Sequence, residues 1–248
     1  MNNDDNTSLN LPSTQTDSYY ISRLRSTTDD ATLKWISDKT AEFVKFMSYY
    51  RCALMELETK FKVLNEGYSL THDRNPISSI QTRLKSPQSI KEKLLRKNLG
   101  TSISSMENNL NDIAGVRVIC TFLDDVYTVA ETLIQQDDVK LISFKDYIVN
   151  PKENGYRSLH LVVAIPIFLS NEKRTVKAEI QLRTIAMDSW ASLEHQIRYK
   201  KDVSVSDDVA KDLLDCAWLS TLLDQKMNSL LHRIPAEGSK EQTEIKFW

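Results

Sequence analysis

Five segments of the chain carry the apolar pattern of β-strands. In several of them apolar and polar residues alternate, and this period of two places successive side chains on opposite faces of a sheet. The segments are 77–85, 115–122, 139–148, 159–168 and 174–182. The pattern therefore predicts a sheet of about five strands.

Apolar residues three and four positions apart predict the helices. The longest such pattern runs from Leu33 to Leu64, and we expect Gly67 and the turn-forming residues 71–76 to end this helix. The polar stretch 100–111 is predicted to be a connecting segment. Further helices are predicted at 89–97, 124–136, 184–199 and 207–231.

The order of these elements predicts an α+β domain with long N-terminal and C-terminal helices. Strands and helices follow one another through both hairpin-like and crossover connections, which favours a mixed sheet flanked by helices. Residues 1–29 are rich in Asn, Asp, Ser and Thr, so we expect a mobile tail there, and we expect residues 234–248 to be frayed. Residues 30–233 are then predicted to form a single domain.

Composition and charge narrow the class of protein. With 41% hydrophobic and 27% charged residues the chain is typical of a globular protein, and its net charge of −2 excludes a generally basic nucleic-acid-binding surface. Any anion binding must therefore be local. Cys52, Cys120 and Cys216 are isolated in apolar patterns, which indicates reduced core residues of a cytoplasmic protein. No segment approaches the ~20 apolar residues of a membrane-spanning helix, so no membrane partner is expected.

Residues 152–160 are the first place where candidate chemistry concentrates. Gly155 allows the backbone to approach a ligand closely, and the ring of Tyr156 offers a flat surface on which a base can stack. Three side chains suited to phosphate oxygens lie around them, namely Lys152, Arg157 and His160. A histidine within a strand is more often structural, but the Tyr-x-x-x-His spacing favours a functional role.

The polar faces of three predicted strands are the second place where candidate chemistry concentrates. One face of the last predicted strand carries Lys177, Glu179, Gln181 and Arg183. Alone, this face would indicate an edge strand with solvated charges. Polar and cationic groups recur on two earlier strands, and Asp112 precedes one of these strands. These earlier residues are Gln81, Arg83, Lys85 and Arg117. Such strands, with two carboxylates far apart in sequence, predict a site for a polyphosphate and a divalent ion.

Four sequence blocks carry a resemblance to a known family. They are, in order, Arg83-x-Lys85-x-x-x-Ser89-Ile90-x-x-Lys93, Asp112-Ile-Ala-Gly-Val-Arg117, Asn154-Gly-Tyr-Arg-Ser-Leu-His160 and Glu179-Ile-Gln-Leu-Arg183. Together they resemble the signature blocks of the RelA/SpoT-type (p)ppGpp synthetase domain. Residues 184–195 are similar to the helix that follows in the stand-alone members, the small alarmone synthetases. The resemblance covers residues 75–200 and implies a nucleotidyltransferase-like mixed sheet.

The resemblance implies transfer of the β,γ-diphosphate of ATP to the 3′-hydroxyl of GDP or GTP, which yields (p)ppGpp and AMP. It also implies Mg²⁺ as the cofactor, held by Asp112 and Glu179, with Glu179 additionally placed to accept the proton of the attacking hydroxyl. His160 is expected near the acceptor phosphates or the reacting oxygens. The alternative for Asp112 is a turn or helix cap.

The same resemblance implies the residues that bind the two nucleotides. Arg83 and Arg117 match the arginines that sandwich the adenine ring of ATP, because flat guanidinium groups stack well on such rings. Tyr156 matches the tyrosine that stacks on guanine. The ATP phosphates are expected at Lys85, Ser89, Lys93 and Arg96. The other acceptor-binding residues are expected to be Asn154, Lys152, Gln181 and Arg183.

Other functions stay open at the level of sequence. One alternative is a module that binds guanine nucleotides or RNA without turnover. Another is a toxin-like relative that pyrophosphorylates adenine nucleotides or the 3′ end of tRNA. The resemblance to the stand-alone members implies a homotetramer built through the terminal helices, although the same apolar faces could cover the sheet of a monomer. The preferred acceptor and any regulatory RNA or nucleotide ligand are left open.

Overall fold

A mixed five-stranded sheet is the centre of the fold. The computed structural model describes residues 40–71, 74–199 and 206–233. Its strands are β1 Ile77–Leu84, β2 Ala114–Cys120, β3 Lys140–Asp146, β4 Leu159–Leu169 and β5 Glu172–Thr184. They are arranged in the order β1-β2-β5-β4-β3, in which β2 and β5 are parallel and the other neighbours are antiparallel. The predicted five strands and the α+β class are confirmed.

The helices follow the predicted pattern with two corrections. Within the described residues they are α1 Thr40–Thr71, α2 Pro87–Arg96, α3 Ile103–Asn109, α4 Leu123–Ile134, α5 Ile185–Tyr199 and α6 Asp207–Arg233. The expected end at Gly67 is wrong, because α1 continues through this residue. The expected connection at 100–111 contains α3, which Ser102 caps by accepting a hydrogen bond from the amide of Ser105. The predicted tails and the helix start at Leu33 lie outside the described residues.

The described residues belong to two compact units. The smaller unit contains residues 40–48 and 85–110, and the larger one contains residues 49–71, 74–84, 111–199 and 206–233. Within the smaller unit, α2 begins at Pro87, and Ser86 accepts a hydrogen bond from the amide of Ser89. The larger unit contains all five strands.

One face of the sheet is apolar and forms the core of the larger unit. α4 packs against β2 and β5, and its side chains Val126, Val129 and Leu133 are buried. The buried strand residues on this face include Val116, Val118, Leu159, Leu161, Val163, Ala178, Ile180 and Leu182. Burial of each large apolar side chain contributes about 1.5–3 kcal/mol, so this face stabilises the sheet. Because strand side chains alternate between faces, the polar residues of the same strands lie on the opposite face.

The cysteines are free, and only Cys120 is buried, whereas Cys52 is half-buried and Cys216 is exposed. The prediction of three core cysteines is therefore wrong for Cys216, whose helix α6 presents several apolar side chains to solvent. Among the described residues, every helix is too short or too polar to cross a membrane.

An ion pair between Arg74 and Asp125 joins the start of β1 to the first turn of α4. Both carboxylate oxygens of Asp125 accept hydrogen bonds of 2.7 Å from Arg74, and Asp125 Oδ2 also accepts one from the amide of Phe122. Arg74 is 39% exposed, so solvent screens its charge, but the Asp125 side chain is 5% exposed. We expect Asp125→Ala to lower the free energy of unfolding by about 2 kcal/mol, through the lost helix cap and the lost hydrogen bonds.

Urea denaturation of the wild type and the variant measures this difference. Asp137→Ala serves as the control, since Asp137 is exposed on the surface of the same unit. A loss for Asp125→Ala no larger than that of the control would contradict the assigned role of this carboxylate.

Candidate functional site

The strand register brings the polar residues of four strands into rows across one face of the sheet. Arg117 of β2 lies between Gln81 of β1 and Gln181 of β5, and Gln181 in turn lies beside His160 of β4. In the next row, Gly115 of β2 lies between Arg83 and Glu179. Residues in register share a face of the sheet, so side chains far apart in sequence converge there. These residues therefore share one face of the sheet, and their role as a polyphosphate site stays a prediction.

Arg183 is the centre of the hydrogen-bond network on this face. Its guanidinium donates to the hydroxyl of Tyr156 at 2.7 Å, to Gln181 Oε1 at 3.0 Å and to Asp188 Oδ1 at 3.0 Å. The side chain is buried, so these charge-assisted bonds hold it in one orientation. Arg183 also lies over the ring of Tyr156, with 5.1 Å between Cζ and the ring centroid. Arg183 therefore orients the ring of Tyr156.

The segment that carries Tyr156 is an irregular loop between β3 and β4. Residues 152–158 are named the acceptor loop below, after the role that the resemblance implies for them. They have no regular secondary structure, and Gly155 has φ +85°, a conformation that glycine adopts without strain. The amide of Gly155 donates to the carbonyl of Lys152 at 2.8 Å, and the amide of Lys152 donates to the carbonyl of Tyr156. These bonds close the loop.

His160 is held as a neutral imidazole beside Tyr156. Burial, together with the positive charges of Lys152, Arg183 and Lys145, lowers its pKa to about 4. The hydroxyl of Tyr156 lies 2.9 Å from His160 Nε2 and accepts a hydrogen bond from Arg183. We therefore assign the Tyr156 hydroxyl as the donor of the hydrogen bond to His160 Nε2. In this tautomer the other ring nitrogen, Nδ1, carries the hydrogen, and it lies 3.9 Å from Glu179 Oε1.

Glu179 lies at the end of this chain of hydrogen bonds. Gln181 accepts from Arg183 through Oε1 and donates through Nε2 to Glu179 Oε2 at 3.1 Å. The amide of Gln181 therefore has a defined orientation, and it holds one carboxylate oxygen of Glu179. The other oxygen faces His160. A carboxylate held in this way can accept a proton or bind a metal ion without first reorganising.

Asp112 lies two residues before β2, half-buried at the start of the strand that pairs with β5. Among the described residues, no three His, Cys, Asp or Glu side chains form a group that could hold a metal ion. Mg²⁺ usually takes one or two carboxylates and completes its shell with phosphate oxygens and water. The oxygen donors of Asp112 and Glu179 fit this chemistry, and the magnesium site stays a prediction.

The two arginines expected to bind adenine lie on the same face of the sheet. Arg117 interacts with Gln81 Oε1 and with Asp188 Oδ1, each at 3.5 Å. Burial lowers the pKa of Arg117, and the positive charges of Arg183 and Arg83 add to this effect. Arg83 is exposed. The two guanidinium groups repel each other across an open surface. An aromatic ring placed between them would interact favourably with both.

The remaining predicted residues are found in the acceptor loop and in the smaller unit. Asn154 donates to Glu194 of α5 at 3.2 Å and accepts from the amide of Tyr156, so its side chain supports the acceptor loop. Lys152 is exposed, with its Nζ 4.8 Å from the ring centroids of Tyr156 and Tyr147. The residues expected at the ATP phosphates belong to the smaller unit, and they are Lys85, Ser89, Lys93 and Arg96.

Two expectations from the sequence need correction. The strand predicted to include Lys85 ends one residue earlier, at Leu84. Arg157, which the sequence suggested for phosphate binding, is buried and pairs with Asp224 of α6 at 3.2 Å. It therefore faces away from the polar surface.

Sequence reasoning missed four residues of this site. Asp188 bridges Arg117 and Arg183, and Glu194 holds Asn154. Tyr147 packs its ring against His160, with 5.1 Å between centroids, and Lys145 lies in register with His160. Asp188 falls within the segment 184–195 that resembles the family helix, and the alternation of 139–148 indicated a strand. Neither the helix segment nor the alternation assigns a role to these residues, because their contacts depend on how the strands pair.

Known proteins resemble the chain in both sequence and structure. Residues 82–204 match the family described as "Region found in RelA / SpoT proteins". Over 178 residues the chain is 47% identical to the GTP pyrophosphokinase YwaC of Bacillus subtilis (strain 168), a match that covers 72% of this chain and 85% of YwaC.

The structural neighbours are of the same kind. The crystal structure of small alarmone synthetase 2 from Bacillus subtilis has a TM-score of 0.72 and 42% identity, and the match covers 78% of this chain and 100% of that one. Small alarmone synthetase 1 from Bacillus subtilis, bound to its product pppGpp, has a TM-score of 0.71 and 34% identity, with 78% and 98% covered.

Proposed function

The chain belongs to the RelA/SpoT-type small alarmone synthetases, and we propose that it transfers the β,γ-diphosphate of ATP to the 3′-hydroxyl of GDP or GTP. The products are (p)ppGpp and AMP. The observation that carries this proposal is the connected set formed by Arg183, Tyr156, His160, Gln181 and Glu179 on one sheet face. It combines a stacking surface, cations and an oriented carboxylate, which are the parts that phosphoryl-type transfer requires.

Binding of the acceptor begins with the ring of Tyr156, on which guanine stacks. The exposed Lys152 moves from its position over this ring to the acceptor phosphates, because a charged group gains more from phosphate oxygens than from a ring face. Arg183 stays in place and keeps the ring oriented. Asn154 supports the loop and contributes to the recognition of the base. Both GDP and GTP fit this arrangement, since they share the guanine and the 3′-hydroxyl.

Glu179 and His160 act at the reacting end of the acceptor. Glu179 accepts the proton of the attacking 3′-hydroxyl, and neutral His160 donates a hydrogen bond to oxygen atoms that gain negative charge. Asp112 and Glu179 would hold Mg²⁺, which supplies neutralisation of the phosphate charge. The residues of the chain thus position the two nucleotides and remove one proton, and little covalent chemistry is needed.

Binding of the donor is assigned to the residues that the family resemblance gives for adenine and for the ATP phosphates. Arg83 and Arg117 stack on the two faces of adenine. Lys85, Ser89, Lys93 and Arg96 bind the triphosphate, and within α2 the last three lie at spacings of three and four that share a helix face. This assignment rests on the family resemblance.

A product assay tests the proposed function. The purified chain is incubated with Mg²⁺ and ATP together with GDP, GTP, GMP or bulk tRNA, and the nucleotides are separated by anion exchange. We expect AMP to form in step with a more highly charged guanosine nucleotide, and excess chelator to stop the reaction. AMP formation with tRNA or adenine nucleotides alone would favour the toxin-like alternative. Guanine nucleotide binding without AMP would indicate a non-catalytic module.

The exposed apolar side chains of α6 support assembly, and we propose a homotetramer in which this helix lies between subunits. These side chains are Leu214, Trp218, Leu219, Leu223, Met227 and Leu230. Their spacing forms a stripe along the helix, and a stripe of this size on a free chain is unfavourable in water. Regulation by an RNA or a nucleotide ligand remains a prediction from the family resemblance.

Trp218→Glu is expected to reduce the mass of the particle in solution, because Trp218 is 63% exposed and a charge there would be desolvated in an interface. Size-exclusion chromatography with light scattering measures the mass. Lys211→Glu introduces the same side chain at an exposed polar position of α6 and should leave the mass at four chains. A mass of one chain for the wild type, or an unchanged mass for Trp218→Glu, would contradict the assigned interface.

A further inference from the structure

The acceptor loop packs directly against the C-terminal helix α6. A Cβ added at Gly155 would lie 2.5 Å from Cβ of Ala217 and 3.2 Å from Cδ1 of Leu214. No side chain fits in this space, so the loop backbone lies in contact with the helix surface. The loop that carries Tyr156 therefore takes part of its shape from a helix that contributes none of the residues assigned to substrates above.

A buried ion pair adds a second point of contact. Arg157 of the acceptor loop and Asp224 of α6 are each only 6% exposed, and Arg157 donates to Asp224 Oδ2 at 3.2 Å. Asp224 also has a hydrogen bond with Thr184, the residue that follows Arg183 at the end of β5. One carboxylate on α6 therefore holds the loop of Tyr156 and the strand end of Arg183 together.

The backbone geometry connects this pair to the ligand surface. Tyr156 and Arg157 are neighbours in the irregular segment that leads into β4, and their side chains have different partners. Tyr156 points to His160 and Arg183, whereas Arg157 points to α6. One peptide unit therefore separates the residue held by α6 from the residue whose ring contacts His160 and Arg183.

The energetics of a buried ion pair favour an orienting role. Burial raises the pKa of Asp224, while the hydrogen bond from Thr184 and the charge of Arg157 oppose this rise. Removing two charges from water offsets much of their mutual attraction, so such a pair adds little net stability compared with apolar side chains. The pair does orient the Arg157 side chain, because the Asp224 carboxylate determines where the guanidinium lies.

We propose that Asp224 is a positioning residue for the acceptor nucleotide, which acts through Arg157 to hold Tyr156 in the orientation that binds guanine. The inference rests on the proposed function, since it takes Tyr156 as the acceptor-stacking residue. It assigns to α6 a role in acceptor affinity in addition to any role in assembly. The donor nucleotide should be insensitive to Asp224, because this carboxylate contacts Arg157 and Thr184, neither of which is assigned to ATP.

Asp224→Asn in the full chain tests the proposal, because it keeps the shape of the side chain and removes its charge. GDP binding is measured by titration calorimetry without ATP, and binding of a non-hydrolysable ATP analogue is measured separately. We expect GDP affinity to fall about tenfold, since a small displacement of a binding group has effects of this size or larger. Affinity for the ATP analogue should change less than about twofold, within the scatter of a remote substitution.

Asp215→Asn is the matched control, because it makes the same chemical change at an exposed position of α6. It should leave both affinities and the melting temperature at their wild-type values. Ala217→Val is a second variant, which presses on Gly155 without touching the ion pair. It should weaken GDP binding selectively as well, and it decides the matter if Asp224→Asn fails to fold.

Three results would overturn the inference. The first is wild-type GDP affinity in a folded Asp224→Asn protein or, if that variant fails to fold, in Ala217→Val. The second is an equal loss of affinity for both nucleotides with a lower melting temperature, which marks a purely structural role. The third is a wild-type chain that binds no guanine nucleotide. If the wild-type chain binds GDP but makes no AMP, the proposed function is contradicted. The role of Asp224 can then still be tested, because it is measured by GDP binding.

Discussion

Glu179→Gln is expected to abolish product formation while the protein stays folded. We expect kcat to fall about 10³-fold or more, because the substitution removes a general base and a metal-binding oxygen together. The geometry favours retention of the fold. The side-chain oxygen of glutamine can still accept the hydrogen bond that Gln181 now donates to Glu179 at 3.1 Å. The melting temperature should therefore remain close to that of the wild type.

Quenched-flow or anion-exchange measurement of AMP formation, together with a thermal melt, checks this result. Glu131→Gln is the control, since Glu131 is an exposed residue of α4. The control should retain wild-type kcat. If Glu179→Gln kept more than about a tenth of the wild-type rate, Glu179 could be neither the base nor an essential metal ligand, because either role demands a larger loss.

The strands and the faces of the sheet were predictable because they depend on short-range alternation. Gln181 and Arg183 are two residues apart, so any strand through them places both side chains on one face. The register was not predictable in the same way. Nothing near Arg117 or His160 in sequence indicates that Gln181 lies between them, since that arrangement depends on the insertion of β5 between β2 and β4. The site was therefore predicted as a set of residues, and its hydrogen bonds were not.

The errors in the helices have local causes. α1 continues through Gly67 because an exposed glycine costs a helix only about 1 kcal/mol, which the packed remainder of the helix outweighs. α3 is short and polar, so its apolar spacing gives no signal, although Ser102 is a typical cap. Arg157 was misassigned because its neighbours suggested phosphate binding. Its partner Asp224 lies 67 residues later, on a helix whose packing the sequence does not reveal.

Tyr156→Ala is expected to raise the KM for GDP or GTP about tenfold to a hundredfold, because stacking of a base on an aromatic ring is worth about 1–3 kcal/mol. The KM for ATP should change little. The variant removes the ring on which Lys152 and Arg183 now pack, so the surface that faces the acceptor loses its flat area. Initial rates over a range of acceptor concentrations, at saturating ATP, measure this effect.

Tyr156→Phe separates the ring from the hydroxyl. It keeps the stacking surface, so the acceptor KM should stay within about threefold of the wild type. It removes the oxygen that accepts from Arg183 and contacts His160, so we expect kcat to fall by about tenfold through looser positioning of His160. An equal rise of acceptor KM in both variants would move the binding role from the ring to the hydroxyl. An unchanged acceptor KM in Tyr156→Ala would exclude stacking altogether, and the acceptor base would then have to lie elsewhere on the polar face of the sheet.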